Sequence, residues 1–310
     1  MEKIPEPSSA LARLQRAFWA QLRDPQTEDI SISSENGLIY HRHGHWHRGE
    51  SADLATLEHF TREIAHLIAE TAGVTLGPRH PSLDAQLGSF GGVTSFRAHV
   101  VMPPLSGSGT LITLRRLDME SPPPSLEDFG FLPSELEDLQ RAVRERDSIL
   151  VCGATGSGKT SLLRSLLQLV PTNERVAILE DSAELRAPNA MSFCLRSRQN
   201  RFESVEGTTW TLEQLVYESL RMRPDRIVLG ECRGPEARGL LHALQSGHRG
   251  VMCTMHASTM AQALERYRNL VHLATNDSIA MASAAWDWVV LISLEGATAR
   301  RRTRVFRVST

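Results

Sequence analysis

Cysteine is scarce in this sequence and never paired. The four residues, Cys152, Cys194, Cys232 and Cys253, include no C-x-x-C, which excludes a disulfide framework; three lie in apolar strand-like runs, so the cysteines are expected to be reduced core thiols. Also missing is any apolar run near the roughly 20 residues that a membrane-spanning helix needs. Met1 to Ser9 is polar and contains prolines, unlike a secretory leader. A cytoplasmic location is the expectation, with membranes met only through a partner. Charge of one sign is lacking too, the formal net value being −2. The local exception is Arg300, Arg301, Arg302, Arg304 and Arg307 in the last eleven positions, which reads as a solvated strand or hairpin rather than a lipid or nucleic-acid patch.

What is present suits two globular cores: 310 residues, 41% hydrophobic and 23% charged. Leu11, Leu14, Phe18 and Leu22 predict an amphipathic helix, alternation from Ile30 to His47 a hairpin, and Leu54 to Ile68 a long helix closed by Gly73. Short strands follow near 85–87, 95–102 and 110–117, giving a small α+β domain over 1–120. Ser121-Pro-Pro-Pro-Ser125 can continue neither a helix nor a central strand, so 121–130 reads as a linker. Over 131–310, apolar strands at 148–152, 175–180, 226–230, 250–255 and 288–294 alternate with amphipathic helices, predicting an α/β domain with a mostly parallel, doubly covered sheet. Thr211 and Gln214 read as the capping box of one of those helices.

Between the first of these strands and its helix stand Gly153, Ala154, Thr155, Gly156, Ser157, Gly158, Lys159 and Thr160. The spacing is that of a phosphate-binding loop. Its glycines let backbone N–H groups converge on phosphate oxygens at a helix N-terminus, Lys159 reaches the β- and γ-phosphates, and Thr160 offers a hydroxyl to Mg²⁺. ATP and Mg²⁺ are the expected ligands. Open α/β sheets bind at the carboxyl ends of their strands, where Glu180, Glu231 and His256 fall. The two glutamates are candidates to position or deprotonate an attacking water; His256 and His248 are weaker on chemistry alone. The run His41, His43, His45, His47 has no accompanying cysteine or carboxylate ligand cluster and is interrupted by Gly44, so it reads as an exposed polar hairpin ahead of a metal site.

In order along the chain stand the phosphate loop, Ile178-Leu-Glu-Asp181 with Glu184-Leu185, Leu220 to Gly234 containing Gly230-Glu-Cys-Arg-Gly, and Gly247-His-Arg-Gly250 with Thr254-Met-His-Ala257. This series resembles the Walker A, Asp box, Walker B and His box of the type II/type IV secretion ATPase superfamily. Within it, the arginine-rich phrase before Pro224-Asp225 is most similar to the tight-adherence (Flp) pilus assembly ATPases. The first domain resembles the family's N-terminal clamp through Ser82-Leu-Asp-Ala-Gln86, Val100-Val-Met-Pro-Pro104 and Thr110 to Arg116. The chain departs from the family's common forms in lacking a four-cysteine zinc module and in ending its Walker B strand with Gly230-Glu231 rather than an aspartate.

The resemblance implies a RecA-like ATPase domain, with Glu180 as the water-activating acid, Glu231 as the Walker B glutamate and His256 as a γ-phosphate sensor. It also implies that Arg97 and Arg115 of the first domain and Arg196 or Arg198 of the second reach the nucleotide. A homohexameric motor working on an inner-membrane platform protein in pilus assembly or secretion is the implied function. A type IV secretion traffic ATPase, a pilus retraction motor, an ATP-binding scaffold with little turnover and a nucleic-acid motor are the rival readings. The last finds support only in the terminal arginines, so no direct nucleic-acid partner is expected.

Overall fold

The computed structural model describes residues 9–90, 93–117, 121–186, 188–197, 210–274, 285–295 and 300–308. The chain divides into two compact units, Met1–Asp118 and Met119–Thr310.

The first unit is an antiparallel sheet backed by two helices. Helices α1 (Ala10–Arg23) and α2 (Leu54–Ala72) accompany strands β1 (Asp29–Ser33), β2 (Gly37–Arg42), β3 (His45–Arg48), β4 (Ser82–Phe90), β5 (Val93–Val101) and β6 (Leu111–Arg116), in sheet order β3-β2-β1-β6-β5-β4. Leu14, Phe18 and Leu22 of α1 and Leu57, Phe60, Ile64 and Ile68 of α2 recur at helical spacing, and all are buried against Ile30, Ile32, Phe96, Val100 and Leu114 of the sheet. Ser9 and Asp53 cap the two helix N-termini, and Gly73 closes α2 in the left-handed conformation. The histidine-rich hairpin is β2–β3. His45 and His47 are exposed, and only His41 of the four meets carboxylates, its Nδ1 lying 2.8 Å from Glu28 Oε2.

The second unit holds β7 (Ile149–Gly153), β8 (Val176–Glu180), β9 (Phe193–Arg196), β10 (Arg226–Leu229), β11 (Met252–Met255), β12 (Trp288–Glu295) and β13 (Arg300–Arg307), in order β13-β12-β7-β11-β10-β8-β9. All neighbours are parallel except β12 and β13. Helices α3 (Pro133–Arg144), α4 (Lys159–Leu167), α5 (Leu212–Leu220), α6 (Glu236–Gln245) and α7 (Met260–Ala274) complete it. Every residue of β7, β8, β10 and β11 is buried, because helices cover both faces and leave no side of these strands to water. One core lies under α4 and holds Leu162, Leu163, Leu166 and Leu167; the other lies under α5 and α6.

Three details differ from the expectation or sharpen it. The proline-rich stretch belongs to the second unit, where a 3₁₀ turn at Leu126–Phe129 buries Leu126 and Phe129 in the α4 core. Cys194 is exposed on the edge strand β9, whereas Cys152, Cys232 and Cys253 are buried; outside an interior strand nothing covers the outward side of an edge residue. The terminal arginines form β13, as a solvated strand paired with β12.

Candidate functional site

Gly153 ends β7 beside Ile292 of β12, and a Cβ there would collide with the Ile292 carbonyl oxygen and stand 2.5 Å from Ser157 Oγ. Only glycine permits that approach. The chain then turns through Gly156 and Gly158, with φ of 75° and 99°, and enters α4 with Gly158 as its N-cap residue. The Leu162 amide donates to the Gly158 carbonyl at 2.9 Å. The loop is therefore set at the positive end of a helix whose first amides have no intrahelical acceptors.

Lys159 is buried, with 8% of its surface exposed. Its Nζ donates to the carbonyls of Gly153 (3.1 Å) and Ala154 (2.8 Å) and to His256 Nδ1 (3.3 Å). Burial pulls the ammonium below its ordinary pKa, and the Glu231 carboxylate partly restores it. His256 Nε2 lies 3.0 Å from Glu231 Oε1. An ammonium can only donate, so Nδ1 accepts from Lys159 and Nε2–H donates to Glu231. One neutral imidazole links the loop's cation to the acid at the end of β10.

Glu231 also faces Arg233, whose Nη1 is 3.8 Å from Oε2 and whose Nη2 pairs with Asp181 beyond β8. Thr254 Oγ1 donates to the Gly230 carbonyl at 2.6 Å, and the Cys232 amide to the Thr254 carbonyl at 2.8 Å, so the ends of β10 and β11 are stitched together. Three strand ends thus contribute to one polar cluster. Arg233 and Asp181 were not singled out from the sequence; the signal was their place beside Glu231 and Glu180 at strand ends.

Glu180, the expected water-activating acid, is enclosed at the end of β8. Only 3% exposed, it accepts the backbone N–H groups of Glu184 (3.0 Å) and Leu185 (2.9 Å) on Oε1. Desolvation by burial pushes its carboxyl up to about 8, against those two donors and with the Glu184 charge adding to the rise. Its methylene packs over Gly230, where a Cβ would stand 3.2 Å from Glu180 Cγ. Glu184, half-buried and close enough to raise Glu180, entered the sequence analysis only as part of the Asp-box phrase.

The arginines fall in different places. Arg97 and Arg115 stand directly opposite each other on β5 and β6 of the first unit. Arg97 makes a two-point contact with Asp84, its Nη2 2.9 Å from Oδ2, and Arg115 Nε lies 3.9 Å from Asp29. Arg196 is exposed at the end of β9, in register with Glu180 on β8. Arg198 lies outside the described residues. His248 precedes β11 and lines a cavity of about 280 Å³ with Arg146, Asp225 and Arg249, at the strand end away from the phosphate loop.

Site chemistry fits a nucleoside triphosphate and a hard divalent cation. The cradle is one that a Cβ at Gly153 would fill, and Thr160, Glu231 and Asp181 present the oxygen donors that Mg²⁺ takes.

A family model for type II/IV secretion system proteins matches residues 62–301. The chain is 36% identical over 255 residues to a putative conjugal transfer protein of Mycobacterium tuberculosis, covering 79% of this chain and 70% of that one. It is 32% identical over 322 residues to the type IV secretion system protein PtlH of Bordetella pertussis, covering 92% and 90%. Among solved structures, the pilus retraction motor PilT with bound ADP superposes with a TM-score of 0.66 at 20% identity, over 97% of this chain and 83% of that one. The Legionella pneumophila ATPase DotB gives 0.64 at 19%, over 98% and 82%. The two likenesses concern the fold.

Proposed function

Because the chain belongs to the type II/IV secretion system protein family, we propose that it is an Mg²⁺-dependent ATPase that drives pilus assembly or secretion across a bacterial envelope. The observation that carries this reading is the hydrogen-bonded series from Lys159 through His256 to Glu231. It sets a cation, a proton-bearing relay and an acid at the carboxyl ends of three strands, as transfer of a γ-phosphoryl group to water requires.

Lys159 has all three donors in use, and ATP binding exchanges at least one of the Gly153, Ala154 and His256 contacts for a phosphate oxygen. His256 is then released from the ammonium, which is how it would sense the nucleotide. Mg²⁺ would supply charge neutralisation, with Thr160, Glu231 and Asp181 offering its oxygen ligands. Glu231 is the residue that orients water, and Glu180 positions the segment at Glu184. Arg97, Arg115, Arg196 and Arg198 add positive charge on nucleotide closure, with a homohexamer as the working state.

The finer setting is a cytoplasmic tight-adherence (Flp) motor docked on an inner-membrane platform protein, a reading that rests on the arginine-rich phrase ahead of Pro224. A type IV secretion traffic ATPase is the second reading, favoured by the likeness to PtlH over nearly the full length of both chains. Phosphate release by the purified protein tests the common core. Lys159→Ala should abolish it, and Glu231→Gln should keep ATP binding while turnover stops. Near-normal hydrolysis by Lys159→Ala would sink the assignment. Co-purification with a pilus platform protein or with a conjugation-type channel separates the two settings.

A further inference from the structure

Of the terminal arginines, four have described side chains, and three of those have local employment. Arg302 pairs with Glu295 at 3.0 Å, Arg304 with Glu135 at 2.8 Å, and Arg307 stacks on Trp288. Arg301 differs: among the described residues no carboxylate stands within ion-pair distance of it. Its guanidinium lies over the Phe129 ring, 5.2 Å from the centroid, and against the phosphate loop. A Cβ on Gly158 would be 3.1 Å from Arg301 Nε and 3.4 Å from Nη2.

That placement is held from several sides. The Arg301 carbonyl presses on Gly130, where a Cβ would collide with it, and Thr303 Oγ1 donates to the Phe129 carbonyl at 2.6 Å. A half-buried cation with no carboxylate partner among the described residues, fixed beside a loop of converging amides, is arranged for an anion. Sheet order says which part of the anion. Lys159 leans toward β11 through His256, whereas Arg301 comes from β13, on the other side of β7. Since Lys159, His256 and Glu231 mark the γ end, the opposite flank faces the α- and β-phosphates.

Resting on the nucleotide reading above, we propose that Arg301 binds the α/β-phosphate part of the nucleotide from within the same chain, tying strand β13 to the bound ligand. ATP and ADP share that part, so Arg301 contributes equally to both and little to the chemical step.

Titration of the full chain with ATP and with ADP tests this, using Arg301→Met, which keeps the packing on Phe129 and removes the charge. Both affinities should fall by about tenfold or more, the scale of a lost hydrogen bond to a charged group, with kcat at saturating ATP within about twofold of wild type. The salt dependence of binding should also become shallower. Unchanged affinities, or a loss confined to ATP, would overturn the proposal. On wild type, where no folding defect can intervene, ADP should shield Arg301 from an arginine-modifying dicarbonyl, read by mass spectrometry; equal modification with and without ADP would overturn it as well. Lys159→Ala run alongside keeps the two readings apart. If wild type binds and Lys159→Ala does not, an unaffected Arg301→Met removes only Arg301, whereas a wild type that binds neither nucleotide removes the nucleotide reading itself.

Discussion

Gly153 shows how much of the site hangs on the absence of one carbon. Its Cα faces the Ile292 carbonyl from β12 and the Ser157 hydroxyl from the loop, and the Ile292 backbone cannot yield without disturbing the β7–β12 pairing. Gly153→Ala should therefore destabilise the protein by about 1–3 kcal/mol, as overpacking does, and weaken ATP binding as well; denaturant midpoints and nucleotide titration measure the two losses. Glu180 carries the pH dependence. Its native carboxyl titrates near 8 and its unfolded one near 4.5, so between those values the native state holds a proton that the unfolded chain has released. Stability is then fully present below 4.5 and lost as pH rises through about 8. Glu180→Gln removes this group, and the wild-type-minus-variant difference in melting temperature should fall with pH across that window; a flat difference would contradict the burial argument. Neither feature was legible as such. The glycines and the glutamate were identifiable from spacing, but a carboxyl's protonation depends on what covers it, and Glu184 and Leu185 amides capture Glu180 through a turn that no periodicity announces.

Strands and helices were read more surely than their surroundings. Leucines at helical spacing marked α1, α2 and α4, and the Thr211–Gln214 capping box is present, with the Gln214 amide donating to Thr211 Oγ1 at 3.2 Å. Missed was β9, whose partly exposed residues Phe193 to Arg196 lack the apolar continuity of a central strand. Missed too was the charge inside β10. Arg226, fully buried at the head of that strand, pairs with Glu174, which also takes Arg146 Nε at 3.0 Å. Nη1 and Nη2 of Arg226 have no hydrogen-bond partner among the described residues, so Glu174 is what makes the buried cation tolerable. Glu174→Gln should cost about 3–5 kcal/mol, as for breaking a buried pair from one side. Arg226→Met combined with Glu174→Gln should recover much of that loss, because the desolvated charge is gone; urea unfolding of the single and double variants checks the order.

Two units with separate cores imply that catalytic contributions from the first need not be contributions to its stability. The α+β composition of that unit and the α/β grammar of the second were both visible in the chain, since period-two and period-3.6 patterns segregate along it. The expectation that arginines distant in sequence serve one reaction came only through family resemblance. Arg97 and Arg115 offer the sharpest case. They face each other across β5 and β6, where two like charges repel, and each is balanced by an aspartate that is itself partly exposed. Exposed ion pairs of this kind contribute about 0–1 kcal/mol each, so structure alone gives little reason for two arginines side by side. If the pair instead meets the nucleotide's developing charge, Arg97→Ala and Arg115→Ala should leave the melting temperature nearly unchanged while lowering turnover by about 10³-fold or more, the scale of a catalytic arginine. ATP affinity measured beside turnover separates the cases. A fall in kcat with affinity kept places the arginines at the transition state, whereas unaltered kcat and affinity would confine them to balancing Asp84 and Asp29.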